Sequence, residues 1–387
     1  MRIAIVTDYY YPQLGGITEH VHNQALSLQR RGHDVTVITG HLFRPPSVVD
    51  GEYAPEKHVP FEIIRMGQSI RWYGNGSQTL QTVHPLMYWK LKKLFRERRF
   101  DVIHTHAPYN PSFVQVVPYV APKETITVGT FHSVFSSGPV LKLAARVLRP
   151  SIARLDVRLA VSQACIDSLE ACFPFEYEVI PNGIDETHFT PEAEPLPEFA
   201  DGKKTILFLG RFDPRNGLHT MIKAFTAVRR QREDVRLVVV GDGPLRKYYE
   251  RQVPPDIEKD VVWAGRVNWA RPRYYTSADI FCTPCERASF GMVLLEAMSS
   301  GVPIVASKIS GFQLVMEHER QGLLIPSATD ADGFAAALTR LLDSPEDRAR
   351  MGEAGRQTAV CKYSWSEVAR RLEECYTEAI CERKVGR

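Results

Sequence analysis

Short apolar runs alternate with amphipathic segments along this chain. The first run, Ile3–Val6, is followed by an amphipathic segment over 19–31 that places Val21 and Ala25 on one helical face, and then by a second run over 34–38. Apolar runs of this length predict strands buried on both faces, and the segments between them predict helices that cover those faces. The alternation therefore predicts βαβ units and a parallel sheet.

The predicted strands fall into two series. After the two strands above, the chain continues with apolar runs at 61–64, 102–103, 126–131, 157–161 and 177–180, and a second series lies at 205–209, 235–240, 261–264, 280–283, 303–306 and 322–325. Residues 191–202 between the series are rich in proline and acidic side chains, a composition that is typical of an exposed linker.

A chain of 387 residues is too long for one ordinary hydrophobic core. We therefore expect an α/β protein of two doubly wound, Rossmann-like domains facing across a cleft. The predicted bounds are 1–190 for the first domain, 203–365 for the second and 366–387 for a final helical segment. Ligands of such domains bind outside the carboxyl ends of the strands.

Composition and charge narrow the functional classes. A hydrophobic content of 44%, a charged content of 24% and a net charge of +3 are typical of a globular protein and argue against bulk nucleic-acid binding. The chain runs from Met1 directly into its first strand, so we expect no signal peptide, and no apolar run is long enough to cross a bilayer. The seven scattered cysteines predict a reduced, cytoplasmic protein.

The cysteine pair Cys282-Thr-Pro-Cys285 has the spacing of a redox or zinc motif. No second Cys or His pair of matching spacing follows, and the pair stands at a predicted strand end. We therefore interpret both thiols as structural and expect no metal site.

The stretch over 282–306 contains the residues that point most specifically to a ligand. A strand end is followed by a turn and a helix start at Ser289-Phe290-Gly291, and Glu296 is predicted two turns into that helix. Free backbone N–H groups at a helix start, here also those of Met292 and Val293, bind anions. A carboxylate behind them can accept hydrogen bonds from hydroxyls. A ligand that combines phosphate with a vicinal diol is typically a nucleotide sugar, which contains a diphosphate and a ribose.

Other polar or glycine-rich turns also follow predicted strands. Gly15-Gly16 follows the first strand and lets a backbone approach a ligand, although a simple tight turn explains the pair equally well. His132 follows the strand at 126–131, where a polar side chain belongs to the ligand-binding edge, although a lone histidine is more often structural. The loop 210–217 presents Arg211, whose guanidinium fork suits a diphosphate.

Together these motifs resemble family 4 glycosyltransferases of the two-domain GT-B type, and the pattern is most similar to phosphatidylinositol mannosyltransferases. The resemblance covers nearly the whole chain. It implies that residues 1–190 form the acceptor domain, that 203–365 form the nucleotide-sugar donor domain, and that the final helix over 366–387 crosses back to the N-terminal domain. It implies that Glu296 holds the ribose, that Arg211 binds the diphosphate, and that the backbone at Gly265 and Val267 reads the base. It further implies that His132 contacts the transferred sugar, and that Tyr9, Gly15 and Gly16 line the donor diphosphate and the acceptor pocket.

Two positions depart from the pattern of that family. A lysine usually stands where this chain has Asn216, and a glutamate usually stands where it has Ala288. We expect Arg215 to supply the missing positive charge and Glu286 to reach the sugar hydroxyls. The same losses also suit a non-catalytic nucleotide-sugar binder or partner subunit, which is the alternative prediction.

The segment 85–99 is the most basic of the chain, and it combines Trp89 and several leucines with four central basic residues, Lys90, Lys92, Lys93 and Arg96. This pattern suits an ordinary surface helix, and it also suits a helix on an anionic membrane surface. The resemblance implies the second, because the matching helix of phosphatidylinositol mannosyltransferases is basic and contacts membrane.

The predicted function is therefore retaining, metal-independent transfer of a hexose. The donor is a nucleotide sugar of the GDP-mannose or UDP-glucose type, and the acceptor is a hydroxyl, for example of a lipid such as phosphatidylinositol. No cofactor is expected, and the predicted location is cytoplasmic, peripheral on the inner face of the cell membrane. A Rossmann dehydrogenase fits less well, because the first βα turn lacks Gly-x-Gly-x-x-Gly.

Overall fold

The computed structural model describes residues 1–13, 15–42, 59–74, 77–133 and 139–385. The chain divides into two compact units. The first unit contains Met1–Gly183 and Trp365–Arg387, and the second contains Ile184–Ser364. The boundary therefore falls before the acidic, proline-rich segment over 191–202, which belongs to the second unit rather than to a linker between the two.

The first unit is built on an eight-stranded sheet in the order β4-β3-β2-β1-β5-β6-β7-β8. All neighbours pair in parallel except β3 and β4, which form an antiparallel hairpin. Its strands are β1 (Arg2–Val6), β2 (Asp34–Leu42), β3 (Glu62–Gly74), β4 (Ser77–Val83), β5 (Val102–His106), β6 (Ile126–Phe131), β7 (Val157–Ala160) and β8 (Glu178–Val179).

The second unit has a six-stranded, all-parallel sheet in the order β11-β10-β9-β12-β13-β14. Its strands are β9 (Lys204–Leu209), β10 (Val235–Val240), β11 (Val261–Gly265), β12 (Ile280–Thr283), β13 (Ile304–Ser307) and β14 (Gly322–Ile325).

Helices connect the strands of both sheets. They are α1 (Gly16–Arg30), α2 (Met87–Arg98), α3 (Val117–Val120), α4 (Pro139–Ala153), α5 (Gln163–Glu170), α6 (Leu218–Gln231), α7 (Arg246–Glu250), α8 (Arg271–Thr276), α9 (Met292–Ser299), α10 (Ser310–Gln313), α11 (Ala331–Asp343), α12 (Pro345–Tyr363) and α13 (Trp365–Val385).

Most strands predicted from apolar runs are found at or near their predicted positions, and the two-unit α/β architecture is confirmed. The exception is the edge of the first sheet, where the prediction ended a strand at residue 64 and contained no β4. This hairpin is polar, with the sequence Ser-Gln-Thr-Leu-Gln-Thr-Val in β4, so it lacks the apolar run that marks the other strands.

The last helix, α13, covers the first sheet together with α1. Leu372 and Tyr376 of α13 share a buried core with Val21 and Ala25 of α1 and with Ile5 of β1. The amphipathic stripe predicted for residues 19–31 is therefore the face that α1 turns toward the sheet and α13.

Both strand orders change direction beside the first strand of the unit. In the first sheet β2 and β5 lie on opposite sides of β1, and in the second β10 and β12 lie on opposite sides of β9. The loops after β1 and β5 therefore leave in opposite directions, as do those after β9 and β12. This divergence opens a crevice in each unit where α/β proteins bind ligands.

The loops beside β9 and β12 approach one another so closely that Gly217 has no room for a side chain. Gly217 has φ of +76°, and a Cβ there would overlap the carbonyl oxygen of Pro284. The Gly217→Ala variant should lower the midpoint of thermal unfolding by roughly 5–10 °C, because left-handed strain and backbone overlap add. Differential scanning calorimetry measures this midpoint.

The matched control is Gly202→Ala, since Gly202 has φ of +88° but no atom within 4 Å of the place that a Cβ would take. In that variant the midpoint of thermal unfolding should fall by only about 2–4 °C, the part that comes from left-handed backbone strain. Equal losses in the two variants would show that the approach to Pro284 contributes nothing.

Candidate functional site

The loop after β9 places a cluster of polar side chains at the crevice of the second unit. Arg211 is exposed in this loop. Its backbone is held from two sides, since Gly210 N–H donates to Val240 O (3.0 Å) and Phe212 N–H donates to Asp242 O (3.1 Å). The loops after β9 and β10 therefore form one continuous edge that presents the Arg211 guanidinium.

Asn216 has a role that its sequence position did not reveal. Its Nδ2 donates to the carbonyl oxygen of Arg211 at 2.8 Å, so the side chain closes the loop on itself. Arg215 lies 3.3 Å from the carboxylate of Asp213, and its carbonyl accepts a hydrogen bond from Glu286 N–H at 2.8 Å. Asn216 thus shapes the backbone under Arg211, and the Arg215 charge is partly balanced by Asp213.

The loop after β12 leads into α9 through a left-handed glycine. Gly291 precedes the helix with φ of +97°, and a Cβ there would press against the Phe312 ring. Phe290 is buried against Tyr363, while Ser289, Met292 and Val293 are half-buried. The first N–H groups of α9 have no side-chain cap at Gly291, and an uncapped helix start of this kind binds anions.

Glu296 is the fifth residue of α9, so it lies just over one turn into the helix rather than two, because the helix begins at Met292 and not at Ser289. The residue is only 2% exposed. Arg271 Nη1 lies 2.9 Å from Oε1, and the Tyr275 hydroxyl donates to Oε2 at 3.0 Å. A buried carboxylate needs such partners, and they fix its orientation.

Arg271 and Tyr275 were missed by sequence reasoning. Both lie on the short helix α8, whose sequence Arg-Pro-Arg-Tyr-Tyr-Thr gives no periodic signal, and neither stands near Glu296 in the chain. Burial raises the pKa of the Tyr275 hydroxyl well above its usual range, and the Glu296 charge raises it further. The hydroxyl therefore stays a hydrogen-bond donor to the carboxylate at every physiological pH.

The other residues at the end of β12 and in the loop before α9 are either exposed or structural. Glu286 is exposed, and Ala288 is half-buried, with its carbonyl so near Gly311 that a Cβ there would overlap it. Cys282 and Cys285 are both buried free thiols, and Cys285 Sγ donates to Arg287 O at 3.3 Å. Burial raises the pKa of both thiols, which fits the structural role predicted for them.

The base-reading segment predicted at Gly265 and Val267 lies at the end of β11. Gly265 has φ of +73°, and its carbonyl accepts a hydrogen bond from Gly241 N–H at 2.8 Å. Val267 packs against the buried cluster that contains Leu294 of α9. The structure therefore brings Arg211, Gly265, Val267 and the start of α9 to the same edge of the second sheet.

In the first unit, Gly15 and Gly16 precede and begin α1, and Leu14 before them lies outside the described residues. Both glycines have open space where a Cβ would stand, so neither is required by local packing. The cap residue of this helix is Gly15, which has no side chain to accept from the first N–H groups. This open space beside a helix start is compatible with the ligand-binding turn expected after β1, which stays a prediction.

Sequence reasoning missed a buried carboxylate, Asp8, which stands two residues after the end of β1. It is 1% exposed and accepts hydrogen bonds from Thr82 N–H (2.7 Å) and the Ser112 hydroxyl (2.6 Å). Asn110 Nδ2 also donates to Asp8 (3.3 Å) and to the hydroxyl of Tyr9 (3.1 Å). Asp8 thus connects β1, the polar hairpin and the segment that holds Tyr9.

His132 belongs to a group of neighbouring imidazoles rather than standing alone. His20 of α1, His104 and His106 of β5, and His132 after β6 lie side by side. His106 Nδ1 is 2.9 Å from His132 Nε2, and His20 Nδ1 is 2.9 Å from Asn182 Oδ1. Sequence reasoning missed His20, His104 and His106, although the His-x-His pattern in β5 is a signal that could have pointed to them.

These imidazoles are neutral. Burial lowers the pKa of His20 to about 4 and that of His104 to about 3, and burial with neighbouring imidazoles holds the pKa of His106 and His132 well below the usual range. In the described part of the chain, nitrogens of His20, His106 and His132 lie within 4.8 Å of one another, a spacing that could hold a transition-metal ion. The direct hydrogen bond between His106 and His132 is a competing use of two of these nitrogens.

Helix α2 is apolar on two sides. Met87, Leu91 and Phe95 are buried against the first sheet, as an ordinary surface helix requires. Trp89 is nevertheless 64% exposed, and the preceding Leu86 is 56% exposed. Lys90, Lys92, Lys93 and Arg96 border this outer apolar surface, and Lys92 Nζ lies 5.6 and 5.8 Å from the ring centres of Tyr88 and Trp89.

Among the described residues, no helix combines the length and the hydropathy that a transmembrane span requires.

Two α/β units, each built on a largely parallel sheet whose strand order reverses beside its first strand, define a GT-B type protein, and the family profiles agree. The profile described as "Glycosyltransferase Family 4" matches residues 14–188, and the one described as "Glycosyl transferases group 1" matches residues 191–358. The solved structure of Anabaena HepE in complex with UDP and glucose has a TM-score of 0.73 and 18% identity, covering 97% of this chain and 99% of that one.

The sequence is also similar to individual enzymes over its length. The phosphatidyl-myo-inositol mannosyltransferase of Mycolicibacterium smegmatis is 32% identical over 380 residues, 97% of this chain and 93% of the relative. The glycogen synthase of Mycobacterium tuberculosis is 28% identical over 402 residues, with 98% and 95% covered. This chain therefore belongs to the family 4 glycosyltransferases and is a glycosyltransferase.

The buried Asp8 should make stability depend on pH. Burial raises the pKa of its carboxyl from 3.8 to about 6, so the folded protein disfavours the ionised form. The contribution of Asp8 to the free energy of unfolding should be largest below pH 4, where the carboxyl is protonated in both states. It should fall by roughly 3 kcal/mol as pH rises from about 4 to 6. Relative to an Asp8→Asn variant, the wild type should therefore lose stability across this range, as measured by thermal unfolding at pH 4.5, 5.5 and 7.

The control is Asp34→Asn, which makes the same change at an aspartate whose side chain is 71% exposed. Its unfolding midpoint should follow that of the wild type at all three pH values. Parallel curves for the wild type and Asp8→Asn would contradict the assignment of a raised pKa to Asp8.

Proposed function

We propose that this glycosyltransferase transfers a hexose, mannose in the first instance, from a nucleoside-diphosphate sugar to a hydroxyl of an inositol phospholipid. The observation that carries the proposal is the placement of Arg211 and the uncapped start of α9 on the two sides of the β9–β12 reversal. The names of the relatives, which are phosphatidyl-myo-inositol mannosyltransferases, support the choice of sugar and acceptor.

On the donor side, the Arg211 guanidinium and the N–H groups of Ser289–Val293 bind the diphosphate, with Arg215 adding charge nearby. Glu296 accepts the ribose hydroxyls. Its contacts to Arg271 and Tyr275 support this role, because they hold the carboxylate in one orientation before the donor arrives. The backbone at Gly265 and Val267 contacts the base, while Asn216 keeps the loop under Arg211 in shape.

The reaction proceeds with retention and without a metal ion. As the glycosidic bond breaks, negative charge grows on the leaving phosphate, where an arginine and oriented N–H groups stabilise it. A phosphate oxygen of the leaving group accepts the proton from the attacking hydroxyl, so no protein nucleophile is needed. Glu286, which is exposed beside Arg215, contacts hydroxyls of the transferred sugar.

On the acceptor side, His132 donates a hydrogen bond to the transferred sugar, and Tyr9, Gly15 and Gly16 line the ligand-binding turn that follows β1. Tyr9 is held by Asn110, which also bonds to Asp8. The arrangement of this turn supports binding of a ligand next to β1 and α1.

The lipid acceptor is reached at the inner face of the cell membrane, to which the protein binds peripherally through α2. Exposed Trp89 and Leu86 supply apolar area, and the basic residues Lys90, Lys92, Lys93 and Arg96 attract anionic headgroups. This outer surface is separate from the buried face that packs the helix on the sheet.

Removal of the Arg211 guanidinium should abolish most of the turnover. With GDP-mannose and phosphatidylinositol, Arg211→Ala should lower kcat by about 100- to 1000-fold, the usual loss when one charge-stabilising donor is removed. The kcat of Arg211→Lys should lie between those of the wild type and Arg211→Ala, since lysine keeps the charge but not the planar fork. Transfer of radiolabelled mannose to lipid measures the rates.

Arg230→Ala is the control for this series, because Arg230 is exposed at the far end of α6 and should leave the rate unchanged. Parallel assays with UDP-glucose identify the donor, and assays with EDTA test the absence of a metal requirement. Normal turnover by Arg211→Ala with a confirmed donor would overturn the proposed donor site.

Reversal of two charges on α2 should release the protein from anionic vesicles. The Lys92→Glu, Lys93→Glu double variant should bind vesicles containing about 30% phosphatidylserine at least about thirtyfold more weakly, from about 1 kcal/mol per basic residue near such a surface. Flotation on a sucrose gradient measures binding. Neutral phosphatidylcholine vesicles should retain little of either protein.

The control is the Lys223→Glu, Arg230→Glu double variant, which reverses two exposed charges on α6 of the second unit. It should float with anionic vesicles like the wild type. If both double variants lose binding equally, net charge rather than the α2 surface controls attachment.

A further inference from the structure

Three imidazoles of the first unit, those of His104, His106 and His132, form a stacked line, and His20 packs beside it. The rings of His104 and His106 are stacked, with centres 4.6 Å apart and an angle of 13°. His106 and His132 are also nearly parallel, with centres 5.2 Å apart, and the edge of His20 packs against His132 at 4.8 Å. His132 is half-buried, whereas the other three rings are buried. The line therefore runs from the core to one partly exposed ring.

The hydrogen-bond partners of His104 show which of its two ring nitrogens carries the proton. Gln24 Nε2, which can only donate, lies 3.0 Å from His104 Nδ1, so this nitrogen is an acceptor. The Tyr376 hydroxyl reaches the same nitrogen at 2.6 Å. The proton of the neutral ring therefore lies on Nε2, which donates to Thr130 Oγ1 at 2.6 Å. His104 is fixed in a single tautomer at the base of the line.

The same reasoning applies to His106. Its Nδ1 lies 2.9 Å from His132 Nε2, so one of these nitrogens carries the shared proton. The Nε2 of His106 is buried and has no hydrogen-bond partner among the described residues. A proton placed there would leave a buried N–H donor unsatisfied, which is more unfavourable than an unused acceptor lone pair. The proton of His106 therefore belongs on Nδ1.

We infer that His106 is a positioning residue that donates from Nδ1 to His132 Nε2 and thereby fixes His132 as its Nδ1–H tautomer. The inference rests on the proposed function for the part that concerns substrate. The partly exposed ring then offers one N–H donor, at Nδ1, to an oxygen of the transferred sugar. The stacked His104 and the edge of His20 keep the rings in place for this contact.

Burial agrees with this assignment. Desolvation and the neighbouring imidazoles hold the pKa of both His106 and His132 well below the usual range, so neither ring carries a second proton at neutral pH. Only one proton is therefore shared between the two facing nitrogens, and its position decides which nitrogen of His132 remains a donor.

The direct test is nitrogen NMR of the whole protein labelled with ¹⁵N-histidine, with the His132 signals assigned by comparison with His132→Gln. The wild type should show a protonated Nδ1 and an unprotonated Nε2 at His132. The opposite pattern would overturn the inference, and this measurement depends on no variant of His106.

Two variants of His106 extend the test. In His106→Asn the side-chain amide can donate from close to the place of Nδ1, whereas the carboxylate of His106→Asp can only accept. His132 should keep its tautomer in the first variant and become protonated at Nε2 in the second. The kcat should fall by about tenfold or more in His106→Asp, the equivalent of losing one hydrogen bond in the transition state, and by less in His106→Asn.

These outcomes separate the inference from the proposed function. Identical His132 spectra in the Asn and Asp variants would contradict the positioning role of His106. If the spectra change as expected but no mannose is transferred by the wild type, the tautomer assignment stands and the proposed reaction fails. A change in the KM for the donor with unchanged kcat in His106→Asp would also contradict the role, because it would show an effect on binding alone.

Discussion

Parallel strands buried on both faces are the constraint on which the rest of this structure depends. The central strands of both sheets are apolar and covered by helices, so they leave few positions for solvated polar groups except at strand ends. Each strand order reverses beside the first strand of its unit, and the loops there diverge. Within the first unit, Asp8 and His132 lie just beyond strand ends, and within the second, Arg211 follows the end of β9 while Glu296 lies on α9, the helix after β12.

The two units meet this constraint in different ways. The second unit relies on the main chain: left-handed Gly217 and Gly291 let loops approach closely, and Asn216 closes the loop that carries Arg211. The first unit instead buries titratable groups in neutral or hydrogen-bonded form, as the imidazole line and Asp8 show. Positive charge and exposed N–H groups favour anions, whereas neutral donors and acceptors favour uncharged hydroxyl groups.

Helix α2 shows how one element can satisfy packing and still present a second surface. Three of its apolar side chains are buried against the sheet, which fully explains the helix as a structural element. The exposed Trp89 and its basic neighbours are not needed for that packing. Both interpretations of the sequence pattern are therefore compatible with the same helix, because they concern opposite sides of it.

The sequence by itself determined the α/β class, nearly every central strand and the turns that carry Arg211, Gly291 and Gly15. Apolar runs and turn glycines can be read from the sequence because each depends only on residues close together in the chain. It did not predict the hairpin of β3 and β4, which has no apolar run and is stabilised by pairing along the sheet edge. Only the tertiary structure revealed the partners of Glu296, the loop-closing role of Asn216 and the line of imidazoles. These depend on which strand ends and helices become neighbours, and hydrogen bonds between residues distant in the chain leave no periodic trace in the sequence.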